Sequence, residues 1–207
     1  MKWHLPAADT YFRPILTKEG FEIDHLEAAL KHVQQFRTAV DGGAHVGTWS
    51  ARMARQFDIV HAFEPAEDTF ACLVKNVGHI GVQCHPWALG RGEALCRVVD
   101  DAARQGNTGA RYVRLDDAEP LGVKMIALDQ LGIEDLDLLK LDVEGYEYPA
   151  LKGAEDTIKR CRPVVLIECK DFGGRHGLEV YDAPLQLERW GYREVERVRN
   201  DRIFAPA

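Results

Sequence analysis

Short apolar runs alternate with stretches of helical spacing along most of the chain. The apolar runs cover residues 38–41, 59–64, 82–90, 136–142 and 163–168, and helical spacing covers residues 24–33, 48–56, 66–77, 147–159 and 181–190. Strands that alternate with helices are typical of a mostly parallel sheet with helices on both faces. The pattern therefore predicts an α/β protein.

Three parts of the chain depart from this alternation. Residues 1–35 combine an irregular lead-in, rich in aromatic residues and turn formers, with one helix expected to cover the sheet. Residues 91–128 contain broken strand-like runs, which predict a strand-rich insertion. Runs at residues 192–198 and 202–205 predict a closing hairpin. We expect a single domain over residues 1–207, because a chain of this length buries roughly 70% of its unfolded surface.

Acidic residues close four of the predicted strands. They are Asp41, Glu64, Asp142 and Glu168. In a parallel sheet these ends share one edge, which is where open α/β folds bind ligands. Strand alternation also puts Lys140 on the same face as Asp142. Because an unpaired buried lysine is costly, we expect an ion pair there.

The turn after the first strand reads Asp-x-Gly-x-x-x-Gly, with Asp41, Gly43 and Gly47 in the fixed positions. Glycine lacks the Cβ atom that would keep a ligand away from the backbone. A dinucleotide fingerprint needs glycine in its second slot, which here holds Ala44 or His45 depending on the register. Asp41 would also repel a pyrophosphate, whereas it suits the sulfonium and amino group of S-adenosylmethionine. A purely structural turn is the alternative.

Glu64 ends the second strand, where the ribose-binding acid of a nucleotide site belongs. A carboxylate can accept two hydrogen bonds from a ribose diol. The alternative role for Glu64 is a helix cap or a surface acid. Adenine would lie near the third strand, where Trp87 either flanks the base or belongs to the core.

Composition narrows the class of protein. A net charge of −7 argues against general nucleic-acid binding, which would need a basic surface. The chain has neither a signal peptide nor 18 consecutive apolar residues, so we expect a cytoplasmic protein without a membrane partner. Its five cysteines include no Cys-x-x-Cys pair, which argues against a disulfide framework or a structural zinc site. We expect no metal.

Seven short motifs follow one another between residues 38 and 170. They are Val40-Asp41-Gly42-Gly43-Ala44-His45-Val46-Gly47, Ala62-Phe63-Glu64-Pro65, Ala88-Leu89-Gly90, Asn107-Thr108-Gly109, Leu128-Asp129-Gln130-Leu131, Leu139-Lys140-Leu141-Asp142-Val143-Glu144-Gly145-Tyr146-Glu147 and Leu151-Lys152-Gly153-Ala154. Together they resemble the FkbM family of S-adenosylmethionine-dependent methyltransferases. The resemblance implies a Rossmann-like class I methyltransferase fold, with a seven-stranded, mostly parallel sheet and an antiparallel last hairpin.

The resemblance also implies a site for S-adenosylmethionine. In that site Asp41, Gly43 and Gly47 would cradle the methionine end, and Glu64 would hold the ribose. The cofactor-binding residues that it implies are Asp41, Gly43, Ala44, His45, Gly47, Glu64, Pro65, Ala88, Leu89 and Asp142.

Members of this family mostly methylate hydroxyl groups, which implies O-methylation of a small-molecule or sugar-like acceptor. A base would take the proton of the acceptor, and the candidates are Asp142, Glu144 and His176. The alternatives are a nicotinamide-dependent oxidoreductase and a non-catalytic nucleotide-binding module. The identity of the acceptor and the oligomeric state do not follow from the motifs.

Overall fold

A computed structural model of the protein describes residues 3–16, 22–115 and 122–207. The helices are α1 (Phe12–Ile15), α2 (Ile23–Leu30), α3 (Thr48–Met53), α4 (Glu67–Val77), α5 (Glu147–Lys152), α6 (Glu155–Cys161) and α7 (Asp182–Arg189). The strands are β1 (Thr38–Gly42), β2 (Ile59–Phe63), β3 (Gln83–His85), β4 (Ala88–Leu89), β5 (Ala94–Val99), β6 (Tyr112–Arg114), β7 (Val123–Ile126), β8 (Leu136–Leu141), β9 (Val164–Glu168), β10 (Tyr192–Val198) and β11 (Asp201–Pro206). Within these ranges no helix is long and apolar enough to cross a membrane. Parts of the predicted lead-in and insertion lie outside the described residues.

The main sheet has seven strands in the order β10-β11-β9-β8-β1-β2-β3. Its five strands from β9 to β3 pair in parallel, and β11 pairs antiparallel with both β9 and β10. Side chains alternate between two cores, so that Ala39 of β1 packs with helices α2 to α4 and Val40 packs with helices α5 to α7. The predicted sheet, its antiparallel hairpin and its helices on both faces are confirmed.

A second sheet has the strand order β4-β7-β5-β6. Three of its strands lie within residues 91–128, where the sequence predicts a strand-rich insertion. Its buried residues Val113 and Met125 share a small core with Tyr146, and Val143 packs against this core. The second sheet therefore stands beside the loop that follows β8.

Two helices differ from their predictions. Glu22 precedes α2 in a left-handed conformation (φ 53°) without capping the helix, and Asp24 lies in the first turn. The helix predicted over residues 147–159 is two helices, separated at Gly153. A Cβ atom on Gly153 would lie 1.8 Å from the carbonyl oxygen of Gly90, so these two backbones approach each other only because the residue is glycine.

Buried polar contacts fasten the lead-in to the fold. Asp9 is 1% exposed and accepts hydrogen bonds from the backbone N–H of Phe12 (2.7 Å) and from the hydroxyl of Thr108 (2.5 Å). The side-chain amide of Asn76 accepts from the N–H of His4 and donates to its carbonyl oxygen (2.8 and 2.9 Å). The lead-in thus reaches both α4 and the insertion.

Candidate active site

A pocket of about 880 Å³ lies at the carboxyl edge of the parallel strands. Its wall combines the turn after β1, the end of β2, strand β4, the insertion and the turn after β8. Eight of the residues implied for the cofactor line it: Gly43, Ala44, His45, Glu64, Pro65, Ala88, Leu89 and Asp142. Asp41 and Gly47 are not part of its lining.

The two glycines of the turn have different roles. Gly43 adopts φ 76°, and a Cβ atom there would lie 1.8 Å from the carbonyl oxygen of Asp142. Gly43 therefore lets the turns after β1 and β8 touch at the floor of the pocket. A Cβ atom on Gly47 would instead lie 2.8 Å from the side chain of Leu73 on α4. Gly47 serves helix packing, and the structure does not place it against the cofactor.

Asp41 lies beneath the pocket and not in its wall. It is fully buried, its Oδ2 accepts a hydrogen bond from the Ser50 hydroxyl (2.6 Å), and its Oδ1 accepts one from Nζ of Lys140 (2.9 Å). Both carboxylate oxygens therefore have partners within the protein. In this structure the carboxylate of Asp41 contacts Ser50 and Lys140, and its contact with the cofactor stays a prediction.

Lys140 organises the floor of the pocket. Its Nζ donates to the carbonyl oxygen of Gly43 (3.0 Å) and lies 3.9 Å from the carboxylate of Asp142. Burial alone would lower the pKa of Lys140, but the charges of Asp41 and Asp142 outweigh it and raise this pKa. The ion pair expected between Lys140 and Asp142 is therefore the longer of two, since Asp41 is the nearer partner.

Glu64 faces the pocket from the end of β2. Its carboxylate accepts hydrogen bonds from the backbone N–H groups of His45 (3.0 Å) and Ala66 (2.9 Å). Burial raises the pKa of Glu64 to about 7. The contact with Ala66, the residue before α4, corresponds to the helix-cap role, and the position in the wall also allows contact with a ribose.

An aromatic surface lies next to Glu64. Phe63 and Trp87 line the pocket, and the ring of His85 stacks on both, with centroids 4.6 Å and 5.1 Å away. Burial lowers the pKa of His85 to about 4, so this ring is neutral near pH 7. A planar base would find a flat apolar surface here.

His45 connects the turn after β1 to the insertion. Its Nε2 lies 2.8 Å from the hydroxyl of Thr108, which itself donates to Asp9. Because the hydroxyl proton is used toward Asp9, His45 donates its Nε2–H to Thr108. Burial lowers the pKa of His45 to about 4, which agrees with a neutral ring. The side chain of His45 thus closes the pocket on the side of the lead-in.

Three carboxylates meet after β8 and β9. Oxygens of Asp142, Glu144 and Glu168 lie within 4.8 Å of one another, which is the grouping among the described residues that could hold a divalent cation. Burial, followed by the charge of Asp142, raises the pKa values of Glu144 and Glu168. Arg104 donates to Glu144 (2.8 Å), and Lys170 pairs with Glu168. Side-chain cations therefore already balance much of this negative charge.

The candidate bases occupy different places. Asp142 and Glu144 line the pocket, whereas His176 lies outside its lining, against the rings of Tyr146 (4.9 Å) and Tyr112 (6.1 Å). Burial lowers the pKa of His176. The structure therefore does not bring His176 together with Asp142 in the pocket.

Glu22, which is not among the site residues predicted from the sequence, also lines the pocket. Its Oε2 accepts a hydrogen bond from the indole N–H of Trp49 (2.8 Å). Glu22 belongs to no periodic pattern and no motif, so only the folded chain identifies its position.

Comparison of the sequence with known protein families identifies a methyltransferase domain. The model of the methyltransferase FkbM domain matches residues 41–194. A curated relative, Methyltransferase 1 of Beauveria bassiana (strain ARSEF 2860), is 28% identical in an alignment 162 residues long, with a coverage of 65% of this chain and 65% of the relative. The protein thus spans less than two thirds of the length of this relative.

Solved structures share the fold. Methyltransferase FkbM from Methylobacillus flagellatus KT aligns with a TM-score of 0.51 and 18% identity, over 82% of this chain and 43% of its own. A proposed methyltransferase from Streptococcus mutans, solved in complex with SAH, aligns with a TM-score of 0.52 and 10% identity, over 90% of this chain and 97% of its own. These likenesses show a class I methyltransferase fold. Since the family match covers most of the chain, the protein belongs to the FkbM family of S-adenosylmethionine-dependent methyltransferases.

Proposed function

We propose that the protein transfers a methyl group from S-adenosylmethionine to a hydroxyl oxygen of a small-molecule or sugar-like acceptor. The observation that carries this proposal is the carboxylate of Asp142, which stands in the pocket wall. It accepts no hydrogen bond from the described residues, and its side chain is 32% exposed. The family match favours methyl transfer over the nicotinamide-dependent alternative.

The pocket offers each part of the cofactor a matching surface. Glu64 would accept hydrogen bonds from the ribose, and Phe63 with Trp87 would flank the adenine. The backbone of Gly43 would lie against the methionine end, which then falls over β1 and β8. Bound in this way, the cofactor would supply an electrophilic methyl group on its sulfonium. A pocket that holds the cofactor and the acceptor together would orient them for in-line transfer, and such orientation can supply much of the rate.

Asp142 is the best placed of the candidate bases. Its carboxylate faces the pocket, 3.9 Å from Nζ of Lys140, and can accept a hydrogen bond from the acceptor hydroxyl. Glu144 is instead held by Arg104 (2.8 Å), and burial opposes its ionisation. We therefore assign proton removal to Asp142 and a structural or acceptor-binding role to Glu144. A small acceptor in place of a nucleic acid remains a prediction from the net charge.

The proposal is tested first by cofactor binding and turnover. S-adenosylmethionine at a hundred times its dissociation constant should stabilise the protein by about 2.7 kcal/mol, whereas NAD and NADP should not. Release of S-adenosylhomocysteine should then depend on an acceptor from a panel of sugars and small alcohols. A melting shift with NAD alone would refute the assignment, and binding without turnover on any acceptor would favour a non-catalytic module.

The role of Asp142 is tested by Asp142→Asn, which keeps the shape and removes the charge. We expect turnover to fall about a hundredfold, within the usual range for general base catalysis, with calorimetric affinity for the cofactor nearly unchanged. Asp58→Asn, at an exposed aspartate, is the matched control. Turnover equal to that of the control would remove Asp142 from the reaction, and a collapse of affinity would make it a binding residue.

A further inference from the structure

We infer that Glu22 receives the ammonium group at the methionine end of the cofactor. This inference rests on the cofactor site proposed above and adds a residue from outside the stretch 41–194 that the family model matches. From the sequence we expected Asp41 in this role, but the structure places it beneath the pocket with both oxygens engaged. Another carboxylate must therefore face the cation.

Four acids line the pocket: Glu22, Glu64, Asp142 and Glu144. Both carboxylate oxygens of Glu64, at the ribose position, accept hydrogen bonds from backbone N–H groups. Glu144 accepts a hydrogen bond from Arg104. Glu22, Asp142 and Glu144 each keep one carboxylate oxygen without a hydrogen bond among the described residues, but that oxygen of Glu144 lies 3.7 Å from Nζ of Lys170. Glu22 and Asp142 lie close enough for the charge of Asp142 to act on Glu22. Glu22 and Asp142 are therefore the acids of the pocket lining that are left for a cationic group.

The carboxylate of Glu22 is held in place for such a contact. Its Oε2 is fixed by the indole N–H of Trp49 (2.8 Å), and Trp49 itself is only 4% exposed. Its Oε1 accepts no hydrogen bond from the part of the chain that the structure describes. Burial, and then the charge of Asp142, raise the pKa of Glu22, so a cation placed between these two acids would relieve an unfavourable arrangement of charge.

The geometry of the cofactor fits this placement. With the adenine at Phe63 and Trp87 and the ribose at Glu64, the methionine end extends over β1 and β8, where Glu22 and Asp142 stand. An ammonium group has three N–H donors and can reach both carboxylates at once. Charge-assisted hydrogen bonds of this kind are stronger than neutral ones. Glu22 therefore makes the site selective for ligands that carry the amino group.

The test compares two ligands by calorimetry on Glu22→Gln. S-adenosylhomocysteine carries the ammonium group, and 5′-methylthioadenosine has the same adenosine thioether without it. We expect the dissociation constant of the first to rise roughly 10- to 100-fold and that of the second to stay within about twofold. Trp49→Phe, which removes the donor that fixes Glu22, should show a smaller loss with the same selectivity. Glu27→Gln, at an exposed position on α2, is the matched control.

Two results would overturn the inference. Equal losses for both ligands would mean that Glu22 supports the pocket without contacting the ammonium group, and unchanged affinities for both would place the cation elsewhere. If the native protein bound neither ligand, the cofactor site itself would be refuted, and the assignment of Glu22 with it. The unliganded melting temperature of each variant separates a change in folding from a change in binding.

Discussion

Lys140→Met removes the buried cation that neutralises Asp41. The two side chains are 3% and 0% exposed, and Nζ lies 2.9 Å from the carboxylate oxygen. Methionine keeps most of the apolar length of lysine, so the lost free energy comes from the charge and its hydrogen bonds. Among the described residues, the side chain of Asp41 would keep the hydroxyl of Ser50 as its partner, and the carbonyl oxygen of Gly43 would lose the hydrogen bond from Lys140.

The magnitude follows from burial. Removing one partner of a buried ion pair costs about 3–5 kcal/mol, because the other charge stays in the interior uncompensated. That loss is a large part of the free energy of unfolding of a typical domain, which is roughly 5–15 kcal/mol. Urea unfolding followed by tryptophan fluorescence measures it, with an unchanged m-value as the sign of a two-state transition. Adding Asp41→Asn to Lys140→Met should recover part of the loss, since no charge is then left buried.

Lys31→Met is the matched control. Its pair with Glu196 has a similar distance, 2.8 Å, but the lysine side chain is 62% exposed. An exposed pair contributes at most about 1 kcal/mol. Equal losses for Lys31→Met and Lys140→Met would refute the reasoning from burial, as would a double variant at Lys140 and Asp41 that is less stable than Lys140→Met alone.

Two further predictions concern pH. Burial raises the pKa of Glu64 to about 7, and the ribose hydroxyls would donate hydrogen bonds to its ionised form. Below about pH 7 the affinity for S-adenosylhomocysteine should therefore fall by up to tenfold for each pH unit. Calorimetry should show this slope in the native protein and not in Glu64→Gln; a slope that persists in the variant would assign it to another group. The hydrogen bond that His25 donates to the carboxylate of Asp201 raises the pKa of His25, although burial opposes this shift. This pair therefore stabilises the fold fully below about pH 6.5, and its contribution disappears as the pH rises through the folded pKa. The free energy of unfolding, measured with urea, should therefore differ less between the native protein and His25→Gln at about pH 9 than at about pH 6. A difference that does not change with pH would contradict this role of His25.

The fold and the edge that carries the site were predictable because their signals are local. Continuous apolar runs such as residues 163–168 predict buried strands, and every residue of β9 is buried. Glu64 and Asp142 come directly after β2 and β8. Because these strands run parallel, their direction alone predicts that both residues lie at the edge of the sheet that carries the pocket. The prediction of one helix over residues 147–159 was wrong: two helices meet at Gly153, whose contact with the distant carbonyl of Gly90 no local pattern contains.

The partners within the site depend on contacts that no local pattern contains. Alternation along β8 pairs Lys140 with Asp142, but the register of the sheet places Lys140 opposite Asp41 on β1. Glu22 and Trp49 are 27 positions apart in the sequence and meet only in the folded chain. His176 lies in a loop whose path follows from packing, so its type alone did not place it in the pocket.

The order of strands also determines how the chain can fold. β11, the last of the strands in sequence, lies between β9 and β10, so β9 remains an open edge until the hairpin docks. The contact between His25 and Asp201 joins residues 176 positions apart, and contacts of such separation form slowly because loop closure costs entropy first. An apolar edge strand is a template for pairing with other chains. Docking of the hairpin is therefore the step that protects the folding chain from aggregation.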